Sequence, residues 1–191
     1  MNLKLKKDWY SIVVYPQREV INDVKVLKDR LAAKIGWYAS RNSEAHITVV
    51  TFLADRYEFG FYKKCIEKIC CSQRPHKVIF DHVNVSKFSH AIVLLPNDSC
   101  KLYLKDLLNV FRERLKSKNT VNGANAHISI GRDLSSVQID RAAHLYGNIN
   151  LEFNCDTIAI RKLDKVKQQF VVINEFKLLG SPLNHYQYSL L

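Results

Sequence analysis

Two short apolar segments of the sequence carry the same pattern, a histidine followed two residues later by a threonine or serine. The segment AHITVVTF contains His46 and Thr48, and the segment AHISIGR contains His127 and Ser129. Both segments are rich in β-branched residues, which favour strands. Successive side chains of a strand point to opposite faces, so each histidine shares a face with its hydroxyl residue. An imidazole and a hydroxyl are therefore expected side by side in two separate strands.

The elements predicted before the two segments also match each other. An apolar stretch that ends in proline comes first, SIVVYP in one case and AIVLLP in the other, and a stretch with helical periodicity follows. Ile12 precedes His46 by 34 residues, and Val93 precedes His127 by 34 residues. The same order of elements at the same spacing predicts a duplicated unit of strand, helix and strand.

The rest of the chain continues with helices and strands. The two predicted helices between the strands carry apolar stripes, Ile21, Val24, Leu27 and Leu31 before Gly36 in the first, and Leu104, Leu107, Leu108, Phe111 and Leu115 in the second. YEFGFYKKCIEKICC is predicted as a helix, and SSVQIDRAAHLYG as a helix with a serine cap. KVIFDHVNV, FNCDTIAIRKL and QFVVINEFKLL are predicted as strands. Residues 156–163 and 170–178 are expected to form a hairpin around the charged turn DKVKQ.

These elements predict an α+β fold in which two antiparallel sheets, each backed by helices, face one another across a central groove. A chain of 191 residues is long enough to bury one sizeable core. No linker rich in proline, glycine or serine separates the halves. We therefore expect a single bilobal domain over residues 1–191, built from two repeats at about 9–88 and 89–180, with one histidine from each repeat at the groove.

The charge balance favours an anionic partner. The chain has 29 Lys and Arg residues against 18 Asp and Glu, a formal net charge of +11. Distributed positive charge attracts polyanions such as RNA, although charge alone gives only weak and non-specific binding.

Cysteine usage and hydropathy argue against disulfide-rich, zinc-binding, secreted and membrane proteins. The five cysteines are odd in number and lack the C-x-x-C spacing of zinc sites, so neither a disulfide framework nor a zinc site is indicated. The apolar run near the N-terminus is too short for a signal sequence, and no apolar segment is long enough to span a bilayer. These features predict a cytoplasmic protein without membrane association, and we expect a monomer.

Two imidazoles that face each other across a groove suit displacement at phosphorus. One can take a proton from the attacking oxygen while the other gives a proton to the leaving oxygen, because imidazole titrates near neutral pH. The hydroxyls of Thr48 and Ser129 can donate hydrogen bonds to the non-bridging phosphate oxygens. This chemistry needs neither a metal nor a cofactor, and no Asp, Glu or Cys beside the histidines suggests a metal site. Which histidine is the acid and which the base stays open.

The paired H-x-[TS] motifs, about eighty residues apart, resemble those of the two-histidine phosphoesterase superfamily, which includes LigT-like 2′-5′ RNA ligases and cyclic phosphodiesterases. The resemblance implies that His46 and His127 are the catalytic acid/base pair and that Thr48 and Ser129 hold the phosphate. It also implies a substrate that is RNA or a nucleotide with a 2′,3′-cyclic phosphate or a 2′-5′ linkage. Hydrolysis and reversible ligation both remain open.

Further site residues are predicted around these motifs. Arg132, which follows HISIG, is expected to contact phosphate. Trp37 and Tyr38 precede the first motif, where an aromatic ring can stack on a base, although core packing is an equal alternative for Trp37. Arg161 and Lys162 are candidates for the border of the groove. The histidines without a hydroxyl partner are assigned surface or structural roles: His76, His82, His90, His144 and His185.

Two other functions compete with the phosphodiesterase. One is a non-catalytic module that binds a nucleotide or RNA in the same groove. The other is a structural scaffold with two buried histidines, which leaves the matched repeats unexplained. Intact histidines and hydroxyls in both motifs favour the enzyme, because a binding module has no need of a paired acid and base.

Overall fold

Nine strands lie in two antiparallel sheets in the computed structural model, which describes residues 5–116 and 119–181. The elements are β1 (Asp8–Val14), α1 (Arg18–Ile35), a short 3-10 helix (Ala39–Asn42), β2 (Ile47–Ala54), α2 (Arg56–Ser72), β3 (His76–Ser86), β4 (Ala91–Pro96), α3 (Asp98–Arg114), β5 (Thr120–Asn122), β6 (Ile128–Gly131), α4 (Ser136–Ala142), β7 (Leu151–Cys155), β8 (Thr157–Asp164) and β9 (Gln169–Lys177). The predicted α+β fold with two antiparallel sheets is confirmed.

The strand order interleaves the two halves of the chain. One sheet has the order β5-β2-β1-β8-β9, and the other has the order β6-β4-β3-β7. The predicted boundary at residues 88 and 89 therefore falls between β3 and β4, which pair directly with each other. Each sheet draws strands from both sides of this boundary, and the division into two repeats stays a prediction.

The apolar stripes of α1 and α3 pack into the core as predicted. All five stripe residues of α3 are buried, and in α1 Leu27 is half-buried while the other three are buried. Gly36 ends α1 with a φ of 82°, a left-handed conformation that glycine adopts without a steric penalty. One buried residue of α1 is not apolar, because Lys28 lies on the same face with 1% of its surface exposed.

Side-chain caps fix the beginnings of α2 and α4. The Asp55 carboxylate accepts hydrogen bonds from the first turn of α2, and Glu58 completes the capping box. Ser135 caps α4 in the same way with Gln138 as its partner, so the predicted serine cap is confirmed.

The hairpin at the C-terminal end is confirmed, but the strand before it is not continuous. β8 and β9 pair antiparallel around the charged turn. The prediction of one strand over FNCDTIAIRKL is wrong, because this segment breaks at Asp156 into β7 and β8, which belong to different sheets. The Asp156 carboxylate accepts hydrogen bonds from Thr157 Oγ1 at 2.6 Å and Lys177 Nζ at 3.0 Å, which holds the chain where it changes sheet.

Each motif strand contains an irregularity at the same place. In β2, Val50 pairs with Ile12 and Thr48 with Val13, so Val49 is an extra residue. A β-bulge of this kind bends the strand and redirects the following side chains. Thr51 therefore lies on the same open side of the strand as Thr48, and both line one cavity.

The second motif has its irregularity three residues after its own histidine. Gly131 pairs with Ile92 and Ser129 pairs with Val93, so Ile130 is the extra residue in β6. This register matches Ile92, not Val93, to Ile12 of the first half. Ile12 and Val93, from which the equal spacing of 34 residues was counted, are therefore not equivalent positions. The segment from Ile92 to His127 is one residue longer than the segment from Ile12 to His46.

No helix within residues 5–116 and 119–181 has both the length and the apolar character needed to cross a bilayer. The five cysteines are all free. His185 lies outside the described residues.

Candidate active site

A groove of about 710 Å³ opens beside the first motif. It is bordered by the loop around the 3-10 helix, by β2 and by the β8–β9 hairpin. Of the predicted site residues, His46, Thr48 and Arg132 line it together, and Arg161 lines it as well. His127 and Ser129 are not among its lining residues. That both imidazoles open to one groove stays a prediction.

Hydrogen bonds nevertheless connect the two motif regions. Tyr38 precedes the first motif, and its hydroxyl lies 3.1 Å from the carbonyl oxygen of Ile130 in β6 and donates to it. The Arg132 N–H, directly after β6, donates to Ser40 Oγ at 2.9 Å. The loop that leads into the first motif is thereby fixed to the end of the second motif strand.

A reciprocal set of contacts starts from the loop that leads into the second motif. The Gly123 N–H donates to the carbonyl of the bulged Val49 at 3.0 Å. Arg112 of α3 bridges the same two segments, since Nε donates to Val49 O at 3.0 Å and Nη2 donates to Ala124 O at 2.8 Å. Each motif strand is thus held by the segment that precedes the other motif.

The two histidines are oriented by identical backbone contacts. His46 Nδ1 lies 2.7 Å from the carbonyl oxygen of Glu44, and His127 Nδ1 lies 2.8 Å from the carbonyl oxygen of Asn125. A carbonyl oxygen can only accept, so Nδ1 carries the proton in both rings. In the neutral form of either ring, Nε2 then has a lone pair for a substrate. Both motifs therefore present the same ring nitrogen.

The two aromatic residues before the first motif differ in exposure, Tyr38 being buried and Trp37 exposed. Tyr38 is 3% exposed and its hydroxyl proton is shared between Lys28 O and Ile130 O, each 3.1 Å from the hydroxyl oxygen, so the prediction that it stacks on a base is wrong. Its ring is part of the core that joins the two motifs. Trp37 is 75% exposed and is not among the residues that line the groove. A base-stacking role for Trp37 stays a prediction.

Arg161 is the residue whose importance the sequence underestimates. It is 7% exposed and lies on β8 opposite Ser11 of β1. Its Nη1 lies 3.1 Å from His46 Nδ1, and Nη2 lies 3.4 Å from Ser11 Oγ. One feature of the sequence does point to a buried position for Arg161. It directly follows four residues that are buried in the same strand, Thr157, Ile158, Ala159 and Ile160.

Burial and the positive charges around His46 keep its imidazole neutral. Burial lowers the pKa of His46 well below its usual value, and the nearby Arg161 guanidinium lowers it further. Arg132 and Lys28 contribute in the same direction, while the hydrogen bond to the Glu44 backbone opposes them. The His46 imidazole is therefore unprotonated at neutral pH, and its Nε2 carries no proton.

The turn of chain before the second motif depends on one glycine that touches the first motif. A Cβ built on Gly123 lies 2.5 Å from the backbone oxygen of Thr48 and 3.2 Å from its Cγ2. Gly123→Ala is therefore expected to lower the free energy of unfolding by about 1–3 kcal/mol and to reduce turnover, because Thr48 has to move. Urea denaturation and steady-state kinetics measure both effects.

Gly147→Ala is the matched control, since a Cβ at residue 147 meets no atom within 4 Å. Both changes reduce the conformational freedom of the unfolded chain alike. Equal unfolding free energies for the two variants contradict the contact with Thr48.

Comparison with known proteins identifies the fold. No protein-family model and no curated protein matches the sequence. Among solved structures, the chain shares the fold of LigT-type phosphoesterases, as the paired motifs predicted. Escherichia coli LigT complexed with 3′-AMP has a TM-score of 0.69 at 12% identity, with 91% of this chain and 99% of that chain covered. The protein TT0787 of Thermus thermophilus has a TM-score of 0.65 at 15% identity, with 90% and 98% covered.

Proposed function

We propose that the protein is a metal-independent phosphodiesterase that acts on RNA ends or nucleotides and hydrolyses 2′,3′-cyclic phosphates or 2′-5′ linkages. The observation that carries this proposal is the matched geometry of the two motifs. Each histidine donates Nδ1–H to the carbonyl two residues before it, and each has a half-buried hydroxyl residue two positions after it. Two independent strands thus offer the same pair of groups.

The proposed reaction needs one proton acceptor, one proton donor and groups that stabilise the phosphate. An imidazole with Nδ1 held by a carbonyl is fixed in orientation and can accept or donate at Nε2. Thr48 and Ser129 hydroxyls supply hydrogen bonds to the non-bridging oxygens. Arg132 and Lys167 also line the groove and attract an anionic substrate.

Known ligands of the structural neighbours support a nucleotide substrate. Escherichia coli LigT has been crystallised with 3′-AMP, ATP, NADP⁺ and phosphate. The groove of this chain suits such anions, because three arginine and lysine side chains outnumber the two acidic residues, Glu44 and Asp133, among its lining residues, and several hydroxyls line it as well. Reversible ligation uses the same groups and is the other direction of the proposed chemistry.

The alternative is a non-catalytic module that binds a nucleotide or RNA in the groove. The feature that favours it is the cavity lining, which includes His46 and Thr48 but neither His127 nor Ser129. A binder needs only one motif at its ligand.

The deciding experiment incubates the protein with 2′,3′-cyclic nucleotides, 2′-5′ oligoadenylate and RNA that ends in a cyclic phosphate, with and without EDTA. Product isomers are assigned by chromatography and ³¹P NMR. We expect turnover of at least one substrate at equal rates in both conditions. Binding without turnover supports the alternative module, and activity that EDTA abolishes and zinc or manganese restores contradicts metal independence.

The hydroxyls of Thr48 and Ser129 are expected to have smaller effects than the histidines. Thr48→Val and Ser129→Ala each delete a hydrogen bond to a charged phosphate, which is worth about 1.5–3 kcal/mol, or roughly ten- to a hundredfold in kcat/KM. Thr51→Val is the matched control, because Thr51 lines the groove from the same strand without belonging to a motif. Equal losses for Thr48→Val and Thr51→Val contradict a specific role for the motif hydroxyl.

A further inference from the structure

The Arg161 guanidinium is a buried cation that forms no ion pair with any of the described residues. In the part of the chain that the structure describes, its buried Nε has no hydrogen-bond acceptor, and Nη2 lies 3.4 Å from Ser11 Oγ. Within residues 5–116 and 119–181, no carboxylate lies at ion-pair distance from it; both carboxylate oxygens of the neighbouring Glu44 are occupied, by Tyr15 and Arg18. Burial of a cation costs free energy unless an anion compensates it.

The contact between Arg161 and His46 is electrostatic and not a hydrogen bond. Nη1 lies 3.1 Å from Nδ1 of His46, but that nitrogen already donates its proton to Glu44 O at 2.7 Å. Two N–H groups therefore face each other. Their repulsion is small when the imidazole is neutral and grows when a second proton makes it a cation.

The second motif has no counterpart to this arginine among the described residues. The register places Arg161 opposite Ser11 of β1, one residue before Ile12. The equivalent position beside Ile92 in the other sheet is Ala91, and its partner is Ser86. The two halves are alike in the orientation of their histidines and differ in the residue at this register position, arginine in one and serine in the other.

We propose that Arg161 divides the proton-transfer roles, keeping His46 as the neutral base and leaving His127 as the acid in the hydrolysis of a 2′,3′-cyclic phosphate. This assignment rests on the phosphodiesterase activity proposed above. His46 Nε2 takes a proton from a water molecule whose oxygen bonds to phosphorus. One phosphorus–oxygen bond to the ribose breaks, and that ribose oxygen receives the Nε2 proton of the His127 imidazolium. Exchange of one proton with solvent by each ring restores both histidines.

Other charged groups around His46 act with Arg161. Arg132 follows β6 and Lys28 belongs to α1, and both positive charges disfavour protonation of His46. The Glu44 carboxylate has the opposite sign, but its hydrogen bonds to Arg18 and Tyr15 offset its effect. Arg161 has the largest effect of these charges on His46 and lies 3.1 Å from its Nδ1, so it is a positioning residue for His46 and the one whose removal has the largest effect.

The first test measures kcat/KM against pH for the wild type, Arg161→Met and Arg161→Lys. The low-pH limb reports protonation of the base, and the high-pH limb reports deprotonation of the acid, as values of the coupled pair. In Arg161→Met the low-pH limb is expected to move upward, toward the ordinary imidazole range near about 6.5. The high-pH limb stays in place, and Arg161→Lys, which keeps the charge, returns the low-pH limb toward the wild type.

Arg114→Met is the matched control, because it removes the same charge from the exposed end of α3. It is expected to move neither limb. Circular dichroism and urea denaturation show whether each variant folds. A low-pH limb that stays fixed in folded Arg161→Met, or a shift of the high-pH limb instead, overturns the proposal.

The second test needs no substrate. Proton titration of the imidazole resonances by NMR, assigned with His46→Ala and His127→Ala, follows each ring in the free protein. We expect His46 to stay neutral where an ordinary imidazole takes up a proton, and to titrate at higher pH in Arg161→Met. A wild-type His46 that becomes protonated near neutral pH overturns the assignment. The expected titration in a protein inactive on every substrate supports the electrostatic role of Arg161 and overturns the proposed function instead.

Discussion

Replacing either His46 or His127 by alanine is expected to lower turnover of a cyclic-phosphate substrate by about 10²–10⁴ with the fold retained. Each change removes one of the two proton transfers that the reaction requires. Both rings are half-buried and each donates to one backbone carbonyl oxygen, so their loss leaves little of the core disturbed. The double variant should be little slower than the slower single variant, because groups that act in one step are not additive.

His144→Ala is the control for the loss of an imidazole, since His144 is exposed and lies beyond the end of α4. Circular dichroism and the denaturation midpoint are compared for all variants. Turnover near the wild-type value in both His46→Ala and His127→Ala contradicts the two-histidine mechanism and leaves the binding module as the better hypothesis. Loss in His46→Ala alone indicates that the second motif does not reach the substrate.

The parts of the fold that depend on local pattern could be predicted from the sequence. Apolar residues at helical spacing identify α1 and α3, because only the buried stripe of an amphipathic helix has that period. The alternation around His46 and His127 identifies the two motif strands, since a strand places alternate residues on one face. Ser135 marks the start of α4 because a serine hydroxyl satisfies a free N–H of the first turn.

The features that depend on contacts distant in sequence could not be predicted. Arg161 reaches His46 only because β8 pairs with β1, and the two residues are 115 positions apart. Tyr38 is near the first motif in sequence, yet its hydroxyl bonds to Ile130, 92 residues away. The bulges at Val49 and Ile130 follow from the pairing with neighbouring strands. The spacing of residues within one segment does not determine contacts between segments that are far apart in sequence.

Lys28 is a second buried charged residue, and it lies among apolar residues on the buried face of α1. Shifting the numbering by 80 aligns α1 with α3 and matches Lys28 to Leu108, so a lysine occupies a core position of the first half. Its ammonium donates to Ser43 O at 2.6 Å, Ser43 Oγ at 2.9 Å and Ser40 O at 3.2 Å. Both serines line the groove, so this buried ammonium holds one wall of the candidate site.

Burial lowers the pKa of Lys28 to about 8 from its ordinary value of 10.5, and the charges of Arg132 and Lys25 add to the effect. Between these two pH values the unfolded chain binds a proton at Lys28 that the folded chain releases. Stability at this residue therefore rises with pH across the window. One pKa unit corresponds to about 1.4 kcal/mol, so the increase from pH ~7.5 to ~9.5 amounts to roughly 2 kcal/mol. Buried tyrosines such as Tyr38 oppose it only above about pH 10, where unfolded tyrosine loses its proton.

The free energy of unfolding is therefore expected to increase by about 2 kcal/mol more in the wild type than in Lys28→Met between pH ~7.5 and ~9.5. Subtracting the two curves cancels every group except residue 28. Lys34→Met removes the same charge from the exposed last turn of α1, and its curve should run parallel to that of the wild type. Urea denaturation at several pH values gives the three curves, with the m-value as the check on two-state unfolding. Parallel curves for the wild type and Lys28→Met show that the Lys28 ammonium is hydrated in solution, in which case it does not hold the wall formed by Ser40 and Ser43.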